Sequence, residues 1–257
     1  MQRDVRIVGS KRRRALIGLA MGLTLLVAMG SMSARTFAAT LGTPHLRNAK
    51  LSDVRIDTST GRRLLRYSTR IINVGAGAFE LQGTRSSTTS PWTVQQRLYN
   101  SDGTVSSTVT TKVTLFYAGD GHNHWHVQDL EFGDLTRLDN GVKVGTSAKR
   151  GFCFYDNVNY NSSAPAFYTS STNSCALNNP DALSVMMGLS VGWGDIYVWN
   201  LPYQYVDITG LTSGRYRLTE RVNPNLGVSA DLSNNETWVD LRLTGNSVHV
   251  EAYGPGL

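Results

Sequence analysis

Beyond residue 40 the chain alternates apolar and polar residues with a period of two. "RLLRYSTRIINVG" (Arg63 to Gly75), "STVTTKVTLFYAG", "NHWHVQDLEFGDL", "YQYVDITGL", "RYRLTERVNP" and "TWVDLRLTG" all carry this pattern. They are rich in Val, Ile, Thr, Tyr and Leu and are bounded by Gly, Asn, Asp or Pro, which is how half-buried strands read. Asp102-Gly103 and Asn140-Gly141 each sit between two such runs and predict tight hairpins. The expectation is an all-β fold, an antiparallel β-sandwich with long loops. One segment reads differently. "NPDALSVMMGLSVG" (Asn179 to Gly192) opens on Asn-Pro and closes on glycine, with apolar spacing that predicts one short helix.

The first 39 residues form no part of this pattern. "KRRR" (Lys11 to Arg14) precedes an uncharged, mostly apolar run from Ala15 to Ala34, and small residues follow. A basic region, an apolar region and an Ala-x-Ala-like exit describe a cleavable signal peptide over residues 1–39, of the general or twin-arginine type. The alternative is an uncleaved anchor, since ~20 apolar residues would span a bilayer. The signal reading places residues 40–257 outside the cell as one domain, large enough for a real core.

That division changes the charge picture. The chain has 25 Lys+Arg and 19 Asp+Glu; residues 1–39 hold seven of the first and one of the second, leaving 18 of each. The basic balance therefore belongs to the leader, and nothing argues for a nucleic-acid partner. Cys153 and Cys175 are the two cysteines, and in an exported chain they predict a disulfide. The polar and aromatic stretch between them reads as a long surface loop.

Five histidines occur in the chain, and His122, His124 and His126 fall within five residues. On one strand they share a face. Converging neutral imidazoles suit copper, nickel or zinc rather than calcium or magnesium. On a flat strand the outer two α-carbons would lie ~13 Å apart. Each imidazole brings a metal only ~6–7 Å from its α-carbon, so one ion requires a bend, for which Gly121 is placed. Three ligands leave open positions. The triplet by itself fits a copper oxidase, a copper-binding sandwich without turnover, or a zinc hydrolase using a carboxylate such as Asp129 or Glu131.

Several motifs in fixed order narrow this. "HNHWH", "KRGFC" (Lys149 to Cys153), "GWGDIY" (Gly192 to Tyr197), "QYVDITGLTSGRYRL" and "VNPN" followed by "DLSNN" resemble the catalytic domain of the lysyl oxidase family, from about Leu46 to Leu243. The resemblance is to short members without accessory domains. It implies a copper-dependent amine oxidase that turns a primary amine and dioxygen into an aldehyde, hydrogen peroxide and ammonia. Copper would sit on His122, His124 and His126. Lysine tyrosylquinone would arise by cross-linking Lys149 to Tyr197, and Asp207 or Asp195 would be the general base. Lysine titrates near ~10.4 in water, so joining an electrophilic ring requires the amine to lose its proton. Tyr155, Tyr160 and Tyr168 lie nearer to Lys149 in sequence and compete with Tyr197 as its partner.

The resemblance also implies a calcium site on Asp231, Asn234 and Asn235. Here the chain departs from the pattern, because His45 and Ser229 stand where acids are expected. Calcium gains affinity from charge, so the departures weaken such a site, and the bare alternative is an Asx turn. Gly133 replaces a further histidine and Trp193 a cysteine. Neither change removes a copper ligand or a cofactor precursor.

Overall fold

The computed structural model describes residues 40–118, 121–149, 151–170, 175–222 and 227–257. The proposed signal peptide, residues 1–39, lies outside the described residues. In chain order the strands are β1 (Leu41–Gly42), β2 (Leu46–Asn48), β3 (Ser52–Asp57), β4 (Leu64–Asn73), β5 (Phe79–Thr84) and β6 (Thr93–Asn100). Then come β7 (Val105–Thr110), β8 (Leu115–Ala118), β9 (His124–Val127), β10 (Glu131–Arg137), β11 (Lys143–Thr146) and β12 (Val158–Asn159). The last six are β13 (Ser184–Leu189), β14 (Trp193–Tyr197), β15 (Tyr205–Asp207), β16 (Gly214–Val222), β17 (Glu236–Thr244) and β18 (Ser247–Tyr253).

All the strand pairs are antiparallel. One sheet runs β1-β6-β5-β13 with β7 also on β6; a second runs β11-β10-β16-β17-β18. A third is built on the ten-residue β4, which carries β2 and β3 on one edge and β14 and β15 on the other. Strands β8 and β9 form a ribbon of their own. The all-β expectation is met.

Both predicted hairpins are present, at β6–β7 and β10–β11. Gly103 and Gly141 have φ of 81° and 72°, the left-handed region where a Cβ is strained. A Cβ on Gly141 would touch nothing within 4 Å, so only the backbone opposes it. Gly141→Ala is therefore expected to cost about 1 kcal/mol, read as a shift in the denaturant midpoint without a change in slope.

The predicted short helix is absent. Ser184–Leu189 is strand β13, paired residue for residue with β5, and no helix occurs among the described residues. Val185, Met187 and Leu189 alternate into the core, which a strand allows and a helix would not. A ready partner edge on β5 outweighed the helix-like start.

The core has two apolar parts with a polar layer between them. Ile71, Trp125, Val127, Phe152, Tyr197 and Val222 belong to one. Leu65, Tyr67, Leu135, Tyr216, Leu218 and Val239 belong to the other. The inward positions of three strands cross the boundary. On β4, Thr69 lies between Tyr67 and Ile71; on β16, Glu220 lies between Leu218 and Val222; on β10, Glu131 and Gly133 precede Leu135. Thr69, Glu131, Gly133 and Glu220, the four residues at the boundary, are all buried.

Candidate metal and cofactor site

The histidine triplet forms at the end of the β8–β9 ribbon. His124 and His126 are on β9, whereas His122 sits in the turn before it, so the three are not consecutive inward positions of one strand. Gly121 (φ 99°) and Asn123 (φ 49°) make the bend that the one-ion argument required. Asparagine is among the few residues that adopt such φ readily. The bend folds His122 back, and the potential ligand nitrogens of the three rings all lie within 4.8 Å of one another. The Nε2 atoms of His124 and His126 are 2.7 Å apart.

This cluster fits a transition metal. Two nitrogens bound to one ion at ~2 Å can be at most ~4 Å apart, so the widest pair needs to close by less than about 1 Å. His126 is buried, and its Nδ1 has no hydrogen-bond partner. Burial and then the charge of Lys149 push its pKa down to about 2, which keeps the imidazole neutral and its lone pair available. The edge of Phe116 packs against the same ring at 5.5 Å.

Lys149 and Tyr197, 48 positions apart in the sequence, meet face to face. Lys149 Nζ is 3.3 Å from the centroid of the Tyr197 ring and 4.5 Å from that of Phe152. The tyrosine is buried and tightly held. Its oxygen accepts a hydrogen bond from the Cys153 N–H at 2.8 Å, and Phe152 meets its ring at 4.6 Å in an edge contact. Tyr197 reaches this place because β14 pairs with β4, with Tyr197 opposite Thr69.

The other tyrosines weighed against it are elsewhere. Tyr168 donates to Glu80 Oε2 at 2.9 Å, Tyr160 is exposed, and Tyr155 packs on the first apolar cluster.

The predicted disulfide, Cys153–Cys175, is present. It also joins the two halves of the site. Cys153 N–H holds Tyr197, and the Cys175 carbonyl accepts from Trp125 N–H at 2.9 Å, between the two β9 histidines. Val127 and Phe152 exchange both backbone hydrogen bonds, tying β9 to the segment after Lys149.

The carboxylates divide sharply. Asp195 shares the β14 face of Tyr197 and is buried; Asn157 Nδ2 donates to its Oδ1 at 2.6 Å. Burial raises its pKa well above the ordinary value, opposed in part by the Asn157 bond and the Lys149 charge. Asp207 is the correction. It is opposite Leu64 on β4, five residues from the partner of Tyr197, or roughly 16 Å along the strand. It is exposed, ion-paired with Arg62 at 2.5 Å, and held at about pKa 2 by hydrogen bonds from Thr209 and Arg62. The fold gives it no part in the site. Asp129 lies exposed in the turn between β9 and β10.

Glu131, considered only for a hydrolase, and Glu220, not singled out, are both buried beside this site. Thr69 Oγ1 donates to Glu131 Oε1 at 2.9 Å, and Tyr67 Oη donates to Glu220 Oε1. Their signal was legible: an acid at an inward strand position. Gly133 has a reason as well. A Cβ there would fall 2.2 Å from Glu220 Oε1, so the missing side chain houses that carboxyl.

The three residues of the calcium expectation are engaged with protein partners. Asn234 Oδ1 is bonded to His45 Nε2 at 2.7 Å, Asn235 Nδ2 turns inward to the Val222 carbonyl, and Asp231 Oδ1 accepts from Ser233 N and Oγ. Calcium needs six to eight oxygens, and the hydrogen bonds to His45 and Ser233 engage two that an ion would use. Calcium at millimolar concentration is expected to leave the unfolding temperature unchanged; a rise of several degrees would contradict this.

An antiparallel all-β fold thus presents a three-histidine cluster able to hold a metal and, acting on its buried member, a lysine held over a tyrosine ring. The lysyl oxidase family profile matches residues 92–252, and the chain belongs to that family. It is 25% identical over 190 residues to Lysyl oxidase homolog 3 of Homo sapiens, covering 74% of this chain and 20% of that protein. Over 131 residues it is 32% identical to Protein-lysine 6-oxidase of Gallus gallus, covering 50% of this chain and 28% of that protein. Lysyl oxidase homolog 3A of Danio rerio is 27% identical over 189 residues, 73% and 20% of the two chains. The chain thus spans between a fifth and just over a quarter of these relatives' length.

Proposed function

We propose that the protein is an exported copper-dependent amine oxidase, with residues 40–257 as its catalytic domain. The reaction converts a primary amine, such as a lysyl side chain, and dioxygen to an aldehyde, hydrogen peroxide and ammonia. The observation that carries this reading is Lys149 Nζ poised 3.3 Å from the Tyr197 ring centroid, with its charge felt at His126. Copper on His122, His124 and His126, and a quinone joined from Tyr197 and Lys149, would supply the oxidative chemistry.

The chain's own residues supply position and environment. Burial around Tyr197 excludes water from the ring, and the edge of Phe152 with the Cys153 N–H fixes its plane and its oxygen. Held geometry of this kind replaces a chance encounter by an intramolecular one. Lys149 is half-buried, so its amine approaches the ring along one face. Asp195, on the face that Tyr197 shares, is the carboxyl placed to exchange a proton there, and Asp207 is no longer a candidate.

Copper-loaded protein exposed to air is expected to react with phenylhydrazine to give a coloured, covalently labelled Tyr197 peptide. Protein that binds copper or zinc yet never takes the label would support storage or hydrolysis instead.

A further inference from the structure

The polar layer that divides the core ends on Lys149. Glu131 on β10 and Glu220 on β16 occupy the same inward face, two positions apart across the pairing of Glu131 with Val222 and Gly133 with Glu220. Both are buried in a chain region where an acid is costly unless paired or protonated. Among the described residues, those that act on them are hydrogen-bond donors, other acids and the Lys149 cation. From β4, Thr69 donates to Glu131 and Tyr67 to Glu220; Tyr67 Oη also lies 3.0 Å from Ser147 Oγ, which accepts from Lys149 N at 3.3 Å. From β2, Asn48 faces Glu131 and donates to the Glu220 carbonyl at 3.1 Å. Asp134 adds negative charge near Glu220, and Lys149 acts on Glu131, Glu220 and Asp195 together. Thr237, directly opposite Glu220 on β17, and Asn48 each hold a buried oxygen with no protein partner.

A purely structural account of this layer is weak. Two buried carboxyls in place of two apolar residues cost stability, and Gly133 gives up a side chain to make room for one of them. What the arrangement does provide is a proton acceptor within electrostatic reach of an ammonium that has to be discharged: Lys149 Nζ lies over Tyr197, Tyr197 is opposite Thr69, and Thr69 donates to Glu131.

We propose that Glu131 and Glu220 form one proton-sharing pair that takes the proton from the Lys149 ammonium, leaving Nζ as the free amine that bonding to the Tyr197 ring requires. This rests on the cross-link reading above. The step moves one proton from Nζ to a carboxylate oxygen of Glu131: an N–H bond breaks as an O–H bond forms, no electrons are transferred, and the ammonium and carboxylate charges are both discharged. Burial supports it by pushing Glu131 up to about 7, against the pull of Thr69 and Lys149, and by raising Glu220 well above the ordinary carboxylate value. A group poised near neutrality is the one suited to accept a proton there.

The test follows formation of the Lys149–Tyr197 cross-linked peptide by mass spectrometry after copper is added in air, over a series of pH values. Copper content is measured in each sample. In the wild type the rate is expected to rise through about pH 7. Glu131→Gln is expected to slow cross-linking about 100-fold at neutral pH with copper still bound, and to recover only toward the pH where a lysine discharges unaided. Thr69→Val keeps the shape and removes one hydrogen bond to Glu131, so its rate profile should move to higher pH; this variant decides if Glu131→Gln does not fold. Wild-type rates in Glu131→Gln, or an unmoved profile in Thr69→Val, would overturn the proton pair while leaving the oxidase reading intact. A wild type that binds copper and never cross-links would overturn both.

Discussion

Tyr197→Phe is expected to bind copper as the wild type does and to release no hydrogen peroxide from any primary amine. The substitution removes one oxygen atom from a buried side chain, so the ring, its contact with Phe152 and its place below Lys149 persist. The Cys153 N–H loses its acceptor, which costs about 1–3 kcal/mol for a buried donor left unmade. That is small beside the stability of a folded domain, so the variant should fold. What it cannot do is become a quinone, because the phenol oxygen is the starting point for oxidation. The expected effect is loss to background, measured with a peroxide-coupled assay on copper-loaded protein. Residual turnover above a few per cent would mean that the oxidising group lies elsewhere.

The second large effect concerns the disulfide. Replacing both Cys153 and Cys175 by Ala opens a loop of 22 residues, for which the chain-entropy model gives about 3 kcal/mol. In a domain of this size that corresponds to a fall in unfolding temperature of roughly 6–12 °C. Function should suffer more than stability alone explains. One end of the bridge positions Tyr197 through Cys153 N–H, and the other positions β9 through the Cys175 carbonyl and Trp125 N–H. Copper affinity and cross-link yield should therefore both fall at temperatures where the variant is still folded. Calorimetry together with metal analysis at 10 °C separates the two effects. An unchanged unfolding temperature would show that the bridge constrains nothing.

Much of the fold could be read from residue order because its strands are half-buried and alternate cleanly. β10, β16 and β17 each repeat apolar and polar positions, and the two Asx-Gly turns carry their own stereochemical reason. The failure at Ser184–Leu189 has a tertiary cause. Its apolar residues fit either period over so short a run, and only the edge of β5, about 100 residues away in sequence, decides for strand.

The site shows the same division. Three histidines at alternate positions announced a metal, and the need for a bend was clear from strand geometry. That His122 would leave the strand through a left-handed Asn123 was not. The pairing of Lys149 with Tyr197 came from family resemblance, since neither spacing nor composition selects one tyrosine among eleven. Asp207 was a natural choice for a base until its salt bridge to Arg62, 145 residues away, was seen. The surroundings of the calcium expectation were hidden for a related reason. His45 and Asn234 are 189 residues apart, and only the fold places an imidazole on the oxygen an ion would need. Glu220 is the instructive miss, because an acid between Leu218 and Val222 on the inward side of a strand was visible throughout.

The most direct measurement is a tryptic map of the aerobically copper-loaded wild type. A single new species joining the peptide that holds Lys149 to the peptide that holds Tyr197 is expected, absent when copper is withheld. Separate, unmodified peptides from fully copper-loaded protein would contradict the assignment.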